Sequence, residues 1–238
     1  MKAAYGRLLV KLSGEQLAGE TGFGISPTMI ETTAREIHQV HELGVQLAVV
    51  VGGGNVIRGI HASEQGLDRA NADYMGMMAS VINSLALQDA LEKAGLVTRV
   101  LSALEIQSVA EPYIRRRAVR HLEKGRIVVF AGGTGNPYFS TDTAAALRAA
   151  EIGAELILMA KNGVDGVYGS DPRENPKARR YERVSFDEAL QKNLRVMDQT
   201  AIAMCRENNL PMVVFDMGVP GNLLRVAAGK ALGNRVEE

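Results

Sequence analysis

Three glycine-rich turns carry the residues best suited to chemistry: Lys11-Leu12-Ser13-Gly14, Gly52-Gly53-Gly54-Asn55 and Gly132-Gly133-Thr134-Gly135-Asn136. Each follows a short apolar run rich in β-branched residues, and each sets a polar residue beside glycine. Glycine lets backbone N–H groups approach an anion with no Cβ in the way, so three such turns could hold more phosphate than one mononucleotide carries. The pattern points to phosphoryl transfer. Lys11 would leave the end of the first strand with its ammonium among the oxygens of the transferring group, while Ser13 and Gly14 add hydroxyl and N–H donors. Taken alone, Lys11 also reads as a lysine that covers apolar surface with its stem and reaches water with its head.

The second turn precedes Asn55, Val56, Ile57 and Arg58, where a helix could start. N–H groups at a helix start bind phosphate, and Arg58 could clamp it bidentately; a triple glycine could equally be a bend. Asp73 reads as a helix cap or as an acceptor for ribose hydroxyls. The third turn runs on through Pro137, Tyr138, Phe139, Ser140 and Thr141, dense in donors and with two aromatic rings. Asp142 is either a cap for a helix from Thr143 onward or a carboxylate that orients lysines. Neither Gly-x-x-x-x-Gly-Lys-Ser/Thr nor Gly-x-Gly-x-x-Gly is present: Gly52 and Gly54 are followed by Ile57 where a third glycine would stand.

The elements that must position these turns are legible as apolar runs alternating with helical patterns. Leu8 to Leu12, Val45 to Val51, Val97 to Leu101, Ile127 to Ala131, Leu156 to Ala160 and Met212 to Phe215 read as strands buried on both faces. The predicted fold is α/β: a three-layer α/β/α sandwich with a mainly parallel central sheet. Ser26 could cap a first helix with Pro27 in its first turn, the stripe Ile30, Ala34, Ile37 and Val40 or His41, and a stop at Gly44. His41 reads as a partly buried structural residue. A second helix is expected from about Ala72 to Lys93, with Met78, Val81, Ile82, Leu85 and Leu91 apolar and the Met75, Met77, Met78 cluster in the core or at a subunit contact. Further helices are expected at Tyr113 to Lys124, Thr143 to Glu151, Phe186 to Gln191 with a Ser185–Glu188 capping box, Gln199 to Asn208 and Gly221 to Ala228. From Asn162 to Arg183 the chain reads as polar loop. No linker divides it, so residues 1–238 are expected to form one domain.

Composition narrows the partners. Lys plus Arg and Asp plus Glu each total 27, which removes a global charge argument for nucleic acid or an anionic membrane. With 46% hydrophobic residues the chain is ordinary globular material. Cys205 is the only cysteine, so an intrachain disulfide and a zinc–cysteine cluster are excluded and a reducing cytoplasm fits. No apolar run approaches the roughly 18 residues of a membrane span.

The ordered blocks resemble the amino acid kinase family, and within it the bacterial uridylate kinases, over essentially the entire chain. They are Lys11-Leu12-Ser13-Gly14-Glu15, Gly22-Phe23-Gly24, Val51 to Asn55 with Arg58-Gly59, Asp73 to Met78, Gly133-Thr134-Gly135-Asn136-Pro137, Val164 to Tyr168, Asp171-Pro172 and Val196-Met197-Asp198. The Gly-Thr-Gly-Asn-Pro block singles out that branch. The resemblance implies transfer of the ATP γ-phosphoryl to UMP, giving UDP and ADP, in pyrimidine nucleotide biosynthesis, with Mg²⁺ carried by the nucleotide and no metal-ligating side chain assigned. By position it puts Lys11, Leu12, Ser13, Gly14 and Gly54 on ATP, Gly53 on UMP, and Arg58 between the phosphates. Asp73, Thr134, Gly135, Asn136, Pro137, Tyr138, Phe139, Ser140 and Thr141 would hold UMP; Asn162, Tyr168 and Asp171 would line the ATP base and ribose. Lys11, Arg58 and Asp142 would be the catalytic set, Asp142 ordering the lysines. Ala160 to Asp165 is one residue longer than in many relatives, and Lys161 would be a second phosphate-facing lysine. The family is also typically a cytoplasmic homohexamer activated by GTP and inhibited by UTP, with Gly19, Glu20, Thr21, Gly22, Phe23 and Gly24 matching its GTP-responsive region and Arg99 suited to an effector. A relative that only binds its ligand, or another amino acid kinase, is the alternative; storage alone has no use for Lys11, Arg58, Asp73 and Asp142 together.

Overall fold

The computed structural model describes residues 2–57, 63–64, 66–172, 174–175, 177–194 and 196–238. Among them, strands β1 (Arg7–Leu12), β2 (Gln46–Val51), β3 (Thr98–Ser102), β4 (Glu111–Pro112), β5 (Ile127–Ala131), β6 (Leu156–Lys161), β7 (Val184–Ser185), β8 (Met212–Asp216) and β9 (Asn234–Glu237) form one sheet in the order β4-β3-β5-β2-β1-β6-β8-β9-β7. Every pairing is parallel except β8 with β9. The helices are α1 (Glu15–Ala18), α2 (Pro27–His41), α3 (Arg69–Lys93), α4 (Arg115–Glu123), α5 (Thr141–Ile152), α6 (Phe186–Gln191), α7 (Gln199–Glu207) and α8 (Asn222–Ala227).

Strand alternation sorts the core into two layers. Leu8, Val10 and Leu12 of β1 face one side, with Ile37 and Val40 of α2, Leu87 and Leu91 of α3 and Leu223 of α8. Leu9 faces the other, against Ala145, Ala146 and Ala149 of α5 and Ala201 and Cys205 of α7. The expected α/β/α sandwich is therefore present. Lys11 has the parity of Leu9, so its side chain leaves β1 on the α5 side. The three alanines let α5 lie close against the sheet there.

Chain order moves from β1 outward through β2 on one flank and through β6 and β8 on the other. The carboxyl ends of β1, β2 and β6 therefore meet where the order reverses, the position at which open α/β sheets bind ligands.

Local punctuation departs from expectation at several points. Ser26 precedes α2, but its hydroxyl makes no capping bond; its carbonyl accepts from Ile30 N at 3.0 Å. Helix α3 begins at Arg69 under Asp68, whose carboxylate accepts from Asn71 N, so Asp73 is not a cap. Met78 and Ile82 face outward at 44% and 51% exposure, as does Met75, and only Met77 of the methionine cluster is buried. Inward positions are taken by Ser80, Asn83 and Ser84, whose polar atoms are all hydrogen-bonded. Ser185 caps α6 through Glu188 N, but Glu188 pairs with Lys192, leaving the capping box half made. His41 bonds the Gly125 carbonyl, in keeping with its structural reading.

Strands β4, β7 and β9 were not expected. The first two have two residues each, too few to leave a pattern. Strand β9 carries Asn234, which is 2% exposed. Its Oδ1 accepts from Val167 N (2.9 Å) and Arg180 Nε (3.1 Å), and its Nδ2 donates to Tyr181 O (2.6 Å), fastening the segment between β6 and β7.

Candidate active site

The first two glycine turns lock together at the carboxyl ends of β1 and β2. Gly52 N donates to Leu12 O at 3.0 Å. A Cβ at Gly14 would stand 2.5 Å from Asn55 Oδ1 and 2.6 Å from Gly52 O; one at Gly53 would stand 2.4 Å from Gly76 O of α3. Both turns therefore require glycine for close backbone approach, not for flexibility. The turn after β2 does not begin a helix within the described residues: Val56 N and Ile57 N both return to Gly53 O. Arg58 lies outside the described residues. Asn55 is 1% exposed and bonds the protein interior, so it does not present its amide to a ligand. Leu12 has its side chain in the core, and Ser13 N is taken by Gln16 Oε1 at 2.8 Å.

Lys11 and Asp142 meet across the β1–α5 interface, Nζ to Oδ1 at 2.7 Å, both side chains mostly buried. Ser140 caps α5, its Oγ accepting from Asp142 N (2.9 Å) and Thr143 N (3.1 Å), which leaves the Asp142 carboxylate to face the lysine. Burial pushes that carboxyl upward. The charges of Lys11 and Lys161, the Lys11 hydrogen bond and a backbone hydrogen bond from Asp198 outweigh burial and hold it below the ordinary carboxylate range. Asp142 is thus held as an anion, paired with Lys11 and stabilised by the charge of Lys161.

Asp198 is the residue the sequence reading underrated. It caps α7 through Ala201 N at 3.0 Å, and it also accepts from Ser140 Oγ and from Thr143 Oγ1 at 3.0 Å. One carboxylate thereby ties the starts of α5 and α7 together at the cavity wall. Besides capping α7, Asp198 lines the cavity.

The third turn follows β5. Gly132 N donates to Ser80 Oγ of α3 at 2.9 Å, and Thr134 and Asn136 bond each other within the turn. Tyr138 N donates to Asp73 Oδ2 at 2.8 Å, and the same oxygen accepts from Arg69 Nε at 2.9 Å. Tyr138 holds φ 72, an uncommon conformation for an aromatic residue, and its ring is exposed beside the Arg69 guanidinium.

The second and third turns, with α3 and the starts of α5 and α7, wall a cavity of about 540 Å³, in the range of small-molecule sites; Lys11, Leu12, Ser13 and Gly14 do not line it. Of the residues expected to contact nucleotide, Gly53, Gly54, Asp73, Tyr138, Phe139, Ser140 and Thr141 line it. Thr134, Gly135, Asn136 and Pro137 form the adjoining turn without lining it. Arg69, Ser80, Thr143, Gln199 and Thr200 line it without having been expected. A run of small polar residues on an otherwise apolar helix, Ser80, Asn83 and Ser84, was the available signal for the α3 side.

Asn162, Tyr168 and Asp171 stand apart from this cavity on the segment after β6. Asn162 is exposed, Tyr168 donates its hydroxyl to Asp165 at 2.6 Å, and the Asp171 carbonyl accepts from Glu174 N and Asn175 N. Asp216, at the end of β8, accepts from Gly163 N and Gly218 N. The loop at Gly19 to Gly24 is mostly exposed, with Phe23 at 69%. Arg99 lies between Glu92 and Glu111, at 3.6 and 3.7 Å. Cys205 is no candidate nucleophile: burial, then the Asp198 and Asp142 charges, push its thiol up to about 12. Among the described residues no helix is long and apolar enough to cross a membrane.

Comparison with known proteins agrees with this geometry. A uridylate kinase of Limosilactobacillus reuteri is 55% identical over 233 residues, covering 98% of this chain and 97% of the relative. The crystal structure of a UMP kinase from Bacillus anthracis superposes with a TM-score of 0.94 at 41% identity, covering 98% of this chain and 96% of that one. A UMP kinase structure from Ureaplasma parvum gives 0.92 at 41% identity, covering 98% and 99%. Residues 6–216 match the amino acid kinase family itself, and the chain belongs to that family.

Proposed function

We propose that this protein transfers the γ-phosphoryl group of ATP to UMP, giving UDP and ADP. The observation that carries the reading is the buried Lys11–Asp142 pair at the carboxyl end of β1, beside a cavity walled by glycine turns. The names of the relatives at 55% and 41% identity support UMP as acceptor.

The UMP phosphate is already an anionic nucleophile at neutral pH, so no general base is required and the protein's work is alignment and charge cancellation. Lys11 would meet the oxygens of the transferring group, with Asp142 fixing its ammonium and that of Lys161. Ser13, Gly14 and Gly54 would supply donors to ATP, and Gly53 to UMP. Arg58 would lie between the two phosphates. Asp73 would exchange its bond to Tyr138 N for the ribose hydroxyls of UMP, with residues 134–141 closing around the nucleotide. Asn162, Tyr168 and Asp171 would receive the ATP base and ribose.

Mg²⁺ would travel with ATP. Among the described residues no group of three or more His, Cys, Asp or Glu side chains converges on one point, and Asp142 is engaged with lysine, so phosphate oxygens and water suit the ion better than a protein cage. When bound, the ion would neutralise charge on the donor phosphates. We further place the protein in the cytoplasm, in pyrimidine nucleotide biosynthesis, as one domain whose acceptor part covers roughly 1–150 and whose ATP part roughly 151–238. It would assemble as a homohexamer, with GTP activating near residues 19–24 and UTP inhibiting.

ADP release measured with UMP, CMP and a set of amino acids as acceptors tests the reading. UMP-dependent turnover well above every other acceptor is expected. Turnover with an amino acid instead would move the protein to another branch of the family, and none with any acceptor would leave a binding role. Repeating the panel with GTP and UTP, and sizing the protein by light scattering, tests the regulatory and oligomeric parts.

A further inference from the structure

The Gly52–Gly54 turn is held from behind by two amides that no step of the proposed transfer uses. Asn83 of α3 is fully buried and Asn55 is 1% exposed. They bond each other in both directions, Asn55 Nδ2 to Asn83 Oδ1 at 3.0 Å and Asn83 Nδ2 to Asn55 Oδ1 at 2.7 Å. Asn83 Nδ2 also donates to Gly52 O at 2.7 Å. Asn55 Nδ2 donates to Gly24 O at 2.6 Å, and Gly24 N returns a bond to Asn55 O at 2.9 Å. Each side-chain amide has two N–H donors, and here all four have partners.

We propose that Asn83 is a positioning residue for the transfer: through Asn55 and Gly52 it sets the turn between the two phosphates and couples that turn to the loop at Gly19 to Gly24. This rests on reading the site as a phosphoryl-transfer centre. Gly52 to Gly54 carry no side chains to pack, so the turn is held through its backbone, and Asn83 holds the Gly52 carbonyl. Removing the Asn83 amide leaves the Gly52 carbonyl, Asn55 Oδ1 and one of the two Asn55 N–H donors without their partners in a buried site, and the turn would shift to recover them. Displacing a group that orients reacting phosphates by about 1 Å can cost on the order of 10²-fold in rate. Because Asn55 also holds Gly24 by two bonds, movement of that loop reaches the turn through the same amide. A pair that only stabilised the fold would affect melting but not turnover by folded protein.

The test compares Asn83→Ala with wild type in the full-length protein, by steady-state kinetics and by amide hydrogen exchange. The expected result is a kcat lowered about 10- to 100-fold. KM for ATP and UMP should stay within about threefold. Residues 22–26 and 52–57 should exchange faster together while β1 and α5 do not change. Leu91→Ala, a truncation elsewhere on α3, should lower the melting temperature and leave kcat of the folded protein intact. Asn55→Ala, which removes the side-chain bonds to both Asn83 and Gly24 O, should lower kcat in wild type and add little in the Asn83→Ala background. If Asn83→Ala does not fold, Asn83→Ser takes its place under the same criteria. A folded variant with kcat within about threefold of wild type would overturn the proposal. So would a uniform rise in exchange across the protein. A wild type with no UMP-dependent turnover would sink the functional reading instead, and the exchange data would still decide whether Asn83 holds the two segments together.

Discussion

The turns facing the proposed acceptor pocket and the segment between β6 and β7 sit on the same sheet but are supported differently. Helix α3 backs the acceptor side, with Ser80 on Gly132 N, Asn83 on Gly52 O and the Gly53 backbone pressed against Gly76. The segment after β6 is tied through Asn234 and otherwise carries exposed pairs, such as Tyr168 with Asp165 and Arg180 with Asp165. Buried neutral hydrogen bonds with no water to replace them hold one arrangement; exposed pairs of this kind contribute little and exchange readily with solvent. Among the described residues the wall of the proposed acceptor pocket is therefore built in advance, whereas the residues proposed for the ATP base are held mainly by exposed pairs. The difference predicts rigid discrimination at the acceptor and adaptation at the donor.

The comparison breaks first at Lys11. Lys11→Ala should lower kcat on the order of 10²- to 10³-fold, as loss of a transition-state donor does, while calorimetry still finds UMP bound. Equal loss of UMP affinity would place Lys11 in the acceptor wall instead. Asp73→Ala should act the other way, raising KM for UMP about 10- to 100-fold through loss of hydrogen bonds to a charged group, with kcat changed much less. Gly53→Ala forces a Cβ against the Gly76 carbonyl and should destabilise the fold by about 1–3 kcal/mol, read as a lower midpoint in urea. Tyr168→Phe, on the other side, removes only an exposed hydrogen bond and should leave the midpoint within about 0.5 kcal/mol of wild type.

Acid titration sharpens the same contrast with a smaller effect. The Asp142 carboxyl is depressed from its ordinary value of 3.8, so its ion pairs contribute fully above that value and are lost as pH falls toward the lower, folded one. The difference in melting temperature between wild type and Asp142→Asn should be flat from neutral pH down to about 4 and shrink below it. A difference that shrinks already near pH 6 would mean that Asp142 is not held ionised by the lysines.

Much of this arrangement was legible in the residues. Continuous apolar runs identified six of the seven interior strands, and Lys11 was expected near the end of the first of them, where it lies. Left open were choices between neighbouring short polar residues. Ser140 caps α5 and frees Asp142; Asp68 caps α3 and frees Asp73. In each case both residues can cap, and only packing decides which carboxylate is left over for chemistry. Asn55 was read as facing phosphate because it follows three glycines, but its partner Asn83 lies far along the chain, and nothing local reveals that the amide points inward. Strands β7 and β9 were hidden for the same reason: their pairing is long-range and their lengths are too short for a period.

The place of β9 between β8 and β7 has a consequence for how the molecule is made. A chain leaving the ribosome can assemble β1 to β6, with both early glycine turns and the Lys11–Asp142 contact, before Asn234 exists to receive Val167, Arg180 and Tyr181. Birth order would thus finish the half proposed to take UMP first and leave the loop proposed to grip ATP unanchored until β9 slides into its slot.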